Sequence, residues 1–246
     1  MEKIKVGIVN YLNTKPLLFG LEREAVKENI ELIQDYPSHI AQYLLDNSID
    51  IGLVPVAVIP RLKEYHIVSS ACIGAVGPVA SVCLLSKVPL ADIKYILLDY
   101  QSRTSVNLLK VLVKFHWNLN VTFIDTNEDF VDRIEGDTAG LLIGDRCLQN
   151  RSKFPFVFDL AETWIEMTGL PFVFAAWVSN KPLPETFIAD FNHANKLGLE
   201  HIDQVVAATS YAHYDALTYF TKNISYDLTE KKRKGLALFL EYLLKL

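Results

Sequence analysis

Three hydroxyl residues flank a single arginine in Ser102-Arg103-Thr104-Ser105, directly after the apolar run YILLDY and at the head of the helical pattern SRTSVNLLKVLVKF. Ser102 or Thr104 can cap that helix, whose first-turn N–H groups carry partial positive charge and attract anions. Arg103 adds a guanidinium suited to two parallel hydrogen bonds with a carboxylate. Thr104 and Ser105 would complete the cradle. Helix capping alone explains one hydroxyl, not three around an arginine. Phosphate is an open alternative, although no Gly-rich phosphate loop or Walker pattern occurs in the chain.

Other polar residues stand just after strand-like runs. VNYLNTKPL follows IKVGIV and presents Tyr11 and Asn13, either as turn chemistry or as groups aimed into a cleft. In GPVAS, Gly77 is expected to relax the backbone and Ser81 to lie on an extended segment between lobes. Asp145, closing LLIGD, either binds a ligand hydroxyl or caps the next helix. In MTGLPF, Thr168 and the Gly169 backbone stand either at a cleft mouth or in an ordinary C-cap followed by Pro. The 6 histidines show no metal-ligand spacing, and neither HExxH nor GxSxG occurs. Glu162 and Glu166 read as a solvated helix face, and His116 as a partly buried structural residue.

The elements that must position these residues alternate. IKVGIV (4–9), IELIQDY (30–36) and IDIGLVPV (49–56) read as strands, with a helix over 37–48 and parallel crossovers between them. Residues 67–86 read as two extended segments with a bend. KYILLDY (94–100), VTFID (121–125), a helix around 127–135 and AGLLIGD (139–145) form a second series. FPFVFDL, a helical AETWIEMTG, the strand-like 171–179 and a mostly helical remainder follow. Two lobes are expected, 1–85 plus 180–246 and 86–179, with ligand bound in a cleft beyond the strand ends. GLALFLEYLLKL either closes the core of the first lobe or forms a dimer contact, and Lys231 to Lys234 read as a solvated helical turn.

The 246 residues carry a net charge of −5 with scattered Lys and Arg, which argues against a nucleic-acid surface. No run approaches the roughly 18 apolar residues of a membrane span, and MEKIKVGIV lacks a signal-peptide core. With 3 cysteines and no CxxC, a reducing compartment with buried thiols is expected, without disulfides or a zinc site. Residues alone thus lead to a two-lobed α/β protein with a cleft for a small carboxylate, and to no named reaction.

VNYLNTKPL, GPVASVCLLSK, LLDYQSRTSVNLL, LLIGD and DLAETWIEMTGLPFVFAAW, in this order over about residues 4–180, resemble the chorismate dehydratase family of the futalosine route to menaquinone. The resemblance implies a fold of the type II periplasmic-binding-protein class in a cytoplasmic enzyme; monomer and homodimer both stay open. It implies loss of water from chorismate to give 3-[(1-carboxyvinyl)oxy]benzoate, with no metal or cofactor. On this reading Asn13 and Ser81 serve the reaction, and Tyr11, Ser102, Arg103, Thr104, Ser105, Asp145, Thr168 and Gly169 bind substrate. Asn is not basic at neutral pH, so the substrate's own enolpyruvyl carboxylate is expected to take the proton. Two alternatives stay open: the related 1,4-dihydroxy-6-naphthoate synthase, which acts later in the same route, and a non-catalytic carboxylate-binding module.

Overall fold

The computed structural model describes residues 3–23 and 25–246. Met1, Glu2 and Glu24, part of the first expected lobe, lie outside them. Apolar runs form β1 (Ile4–Val9), β2 (Ile30–Asp35) and β3 (Ile51–Pro55), interleaved with α1 (Lys15–Leu21), the single turn α2 (Val26–Asn29) and α3 (Pro37–Leu45). Both β2 and β3 pair with β1 in parallel, as the strand–helix–strand order requires. β3 is shorter than expected, because the chain turns at Pro55 into a 3-10 helix over Val56–Arg61.

β4 (His66–Ala75) runs antiparallel to β10 (Phe172–Ser179), which also pairs antiparallel with β3. The first sheet therefore has the order β11-β4-β10-β3-β1-β2, where β11 is Ser225–Asp227. A second sheet, β7-β6-β8-β5-β9, contains β5 (Val82–Ser86), β6 (Tyr95–Leu98), β7 (Thr122–Asp125), β8 (Thr138–Ile143) and β9 (Phe156–Asp159). Its helices are α4 (Thr104–Leu112), α5 (Gly144–Asn150) and α6 (Leu160–Thr168). The C-terminal part adds α7 (Glu185–Glu200), α8 (Ile202–Ala207), the single turn α9 (Ala216–Thr218) and α10 (Glu230–Leu243).

This pairing corrects the expected lobe limits. β5 belongs to the second sheet and β10 to the first, so the chain crosses between sheets at residues 76–81 and returns through 160–171, not at 86 and 179. The helix expected around 127–135 is only a 3-10 turn, Val131–Arg133. There the Asp129 carboxylate accepts the Val131 N–H at 3.3 Å, a local bond that competes with helix. Phe130 and Ile134 still bury their side chains, packing around Gly140. Lys232 is not solvated: it is fully buried, and its ammonium donates to Ser225 O, Ser225 Oγ and Asp227 O at 2.5, 2.8 and 2.7 Å, tying β11 to α10. Nor does α10 serve one lobe only. Phe239 and Tyr242 pack on Trp164 of α6 while Phe239 also meets Phe172 of β10, so the helix bridges both sheets.

α1 and α7 cross with backbones in near contact. A Cβ at Gly198 would collide with the Pro16 carbonyl, and one at Gly20 with the Ala194 carbonyl. Backbone cannot retreat as a flexible side chain can. Gly198→Ala is therefore expected to lower stability by about 2 kcal/mol in urea denaturation.

Candidate active site

Polar residues from four strand ends converge on one cavity between the sheets, which holds about 590 Å³ of empty space, part of it open to solvent. Tyr11, Asn13 and Thr14 come from the turn after β1, and Ser81 from the end of the first crossover. Ser102, Thr104 and Ser105 come from the start of α4, and Gly144 from the start of α5. Pro37, Leu53, Val79 and Phe174 supply apolar wall. No charged side chain among the described residues lines it. A neutral cavity of hydroxyls, one amide and a helix N-terminus suits a buried anion, which needs donors to offset its lost hydration.

Hydrogen-bond polarity points the same way. Ser102 Oγ accepts the Ser105 N–H at 3.0 Å, and Thr104 Oγ1 accepts the Ala57 N–H at 3.2 Å. Each hydroxyl thus keeps its proton for another acceptor. The Asn13 side-chain amide has no hydrogen-bond partner among the described residues, while its backbone is fixed by the Tyr226 hydroxyl, which donates to Asn13 O at 2.9 Å. Thr14 braces the same turn, its one hydroxyl proton shared between Val9 O at 2.6 Å and Tyr11 O at 2.8 Å.

Direct bonds hold the two sides of the cavity together. Tyr11 donates its phenolic proton to Gln101 Oε1 at 2.6 Å. Its ring lies against Gly144, where a Cβ would stand 3.3 Å from ring carbons and φ is +56°. Burial, then the negative charge of Asp99, pushes the Tyr11 phenol well above its usual pKa, so it remains a donor. Asp99 is itself buried, accepting from Gln101 N, Ile143 N and Arg146 at 2.9, 3.2 and 2.5 Å. Burial raises its pKa against the pull of Arg146 and those N–H groups. Arg146 also sits over the Tyr100 ring, 4.8 Å from its centroid.

Four expected substrate contacts are not among the cavity-lining residues. Asp145 accepts the Leu12 N–H at 3.1 Å, joining the start of α5 to the turn that carries Asn13. Arg103 is partly exposed and has no ion-pair partner among the described residues. Burial first, then the nearby Arg61 charge, lowers its pKa. Thr168 and Gly169 form the C-cap of α6: Thr168 Oγ1 donates to Trp164 O at 2.7 Å, and Gly169 takes φ 70°. Gly77 does not need a left-handed backbone; Ala80 does, at φ 64°. That turn is held by Asp159, whose carboxylate accepts from Val79 N and Ala80 N at 3.1 and 2.7 Å. Asp159 went unread in sequence, although Asp159-Leu-Ala-Glu162 has the spacing of a capping box.

The Asp145 contact yields a prediction. Asp145→Ala frees the Leu12 N–H, loosens the turn that carries Asn13 and is expected to weaken binding of isophthalate, a small aromatic dicarboxylate, about tenfold, whereas Asp145→Asn keeps an acceptor and most of the affinity. Titration calorimetry on the two variants separates these outcomes.

Two mixed sheets, joined by two crossovers around a cavity at their strand ends, define a two-lobed α/β protein of the periplasmic-binding-protein type. Solved structures agree. An Archaeoglobus fulgidus protein superposes with TM-score 0.77 at 15% identity, covering 99% of this chain and 97% of its own. A Candida albicans protein, described as having the generic periplasmic binding protein fold, gives 0.61 at 14%, covering 100% and 94%. The chain belongs to the menaquinone biosynthesis family, whose profile matches residues 4–245. A curated relative, chorismate dehydratase from Thermus thermophilus, is 26% identical over 99% of this chain and 96% of its own length. The resemblance read from the motifs therefore stands at the level of the family. Among the described residues no helix is long and apolar enough to cross a membrane.

Proposed function

We propose that this chain is a chorismate dehydratase, a carbon–oxygen lyase that removes water from chorismate to give 3-[(1-carboxyvinyl)oxy]benzoate, in the cytoplasm. The observation that carries the reading is the cavity lined by Asn13, Ser81, Ser102, Thr104 and Ser105, with no charged side chain among the described residues. Chorismate brings two carboxylates and a leaving hydroxyl. Ser102, Thr104, Ser105 and the N-terminus of α4 hold the ring carboxylate. Negative charge released at C3 delocalises through the ring diene into that carboxylate, where those donors stabilise it. Asn13 and Ser81 orient the enolpyruvyl carboxylate over the C3 proton and the hydroxyl at C4. The C3–H bond breaks and its proton passes to the enolpyruvyl carboxylate. The C4–O bond then breaks, and the hydroxyl leaves with that proton as water. Aromatisation supplies the driving force, so the protein's task is to hold one geometry and exclude competing routes.

Substrate choice tests the reading against the later enzyme of the route. In parallel incubations, chorismate should be consumed and cyclic dehypoxanthinyl futalosine left intact. The opposite pattern would reassign the chain to dihydroxynaphthoate synthesis. Saturable chorismate binding without turnover would favour the non-catalytic module.

A further inference from the structure

We propose that Tyr219 is a positioning residue of this cavity, fixing the Ser81 hydroxyl so that its proton is directed at the bound anion. Tyr219 donates its phenolic proton to Ser81 Oγ at 2.7 Å across 138 residues of chain, and it is fully buried. Ser81 is 1% exposed and lines the cavity. Its backbone has no freedom: its N–H donates to Val79 O at 2.8 Å, and its carbonyl accepts the Gly144 N–H at 2.7 Å. A serine hydroxyl has one proton. With Oγ already accepting from Tyr219, that proton has no protein acceptor among the described residues, and the cavity is the remaining direction.

The segment carrying Tyr219 is built to hold the crossover. It is a π-helical turn, Tyr219–Asn223, a rare conformation that recurs at functional sites. At its far end Asn223 donates to Pro78 O at 3.0 Å and accepts from Tyr214 at 3.1 Å. One short turn thus grips the crossover at both Pro78 and Ser81. Burial raises the Tyr219 phenol far above its usual pKa, so it remains a donor at any working pH.

The inference rests on the dehydratase reading, and the test keeps the two apart. Wild type, Tyr219→Phe, Ser81→Ala and the double variant are compared for chorismate turnover and for binding of isophthalate, an unreactive aromatic dicarboxylate. Tyr219→Phe is expected to lower kcat about tenfold and to raise the chorismate KM and the isophthalate Kd about threefold each, because the directed proton also serves the ground-state anion. The double variant should be no slower than Ser81→Ala, because the tyrosine acts only through the serine. Equal activity of Tyr219→Phe and wild type overturns the proposal, as does a full multiplicative loss in the double variant. If wild type binds isophthalate but does not turn over chorismate, the dehydratase reading falls. The same cycle, read as isophthalate Kd, then decides for or against Tyr219. A wild type that does neither overturns both.

Discussion

Asn13→Ala is expected to reduce kcat for chorismate by about 10³-fold while leaving the melting temperature within a few degrees of wild type. The side-chain amide makes no protein hydrogen bond among the described residues, so removing it opens no unsatisfied partner. The turn beneath it is held by other groups: Tyr226 on the Asn13 carbonyl, Asp145 on the Leu12 N–H, and Thr14 on two carbonyls. Losing one preorganised donor at a reacting centre typically costs about 10²–10³-fold. The upper end applies because the amide lies in a cavity with no charged side chain among the described residues, where few other groups can replace it. Asn13→Asp should be no better, since a protein carboxylate facing a dianion repels it. Single-turnover kinetics with a thermal melt on each variant checks both halves. A variant that keeps near-normal kcat would remove Asn13 from the reaction.

Asp159→Ala is expected to cost about 4 kcal/mol of stability and to abolish activity in whatever fraction remains folded. The buried carboxylate accepts four backbone N–H groups, from Val79, Ala80, Ala161 and Glu162, at 3.1, 2.7, 3.0 and 3.2 Å. Two of them cap α6, and two hold the turn in which Ala80 takes a left-handed conformation. Alanine strands buried donors at about 1–3 kcal/mol each before relaxation and loses a cap worth about 1 kcal/mol. Relaxation and partial hydration bring the sum down to the expected figure. Ser81 follows Ala80 directly, so the cavity loses a wall as the turn relaxes. Asp159→Asn keeps one acceptor oxygen and should fall between the two. Chemical denaturation with coincident fluorescence and circular dichroism measures the loss.

The position of the cavity was legible because strands made of continuous apolar runs end abruptly in polar residues. Asn13, Ser102, Thr104 and Ser105, which line it, could be singled out on that ground alone. What distinguished a cavity-lining residue from a brace was not legible. Asp145 and Thr168 are polar residues at element ends like the others, but their partners, Leu12 N–H and Trp164 O, exist only once the chain has folded. Lobe limits failed for a related reason: an apolar run reveals that a strand is buried, not which sheet buries it. β11 has three residues, too few to show alternation, and its pairing with β4 is long-range. Lys232 lies in a basic run that looks solvated, and only the carbonyls of Ser225 and Asp227 show why a lysine is buried there. Tyr219 carries no local signal, because the Ser81 it serves lies 138 positions away.

The most direct measurement is to incubate the purified protein with chorismate and follow the product by chromatography, mass and ultraviolet absorbance, with the Asn13→Ala variant alongside. A dehydratase gives a product one water lighter than chorismate that keeps both carboxylates and contains an aromatic ring, formed by wild type and about a thousandfold more slowly by the variant. Unchanged chorismate with wild type, or equal rates in the two proteins, would contradict that reading.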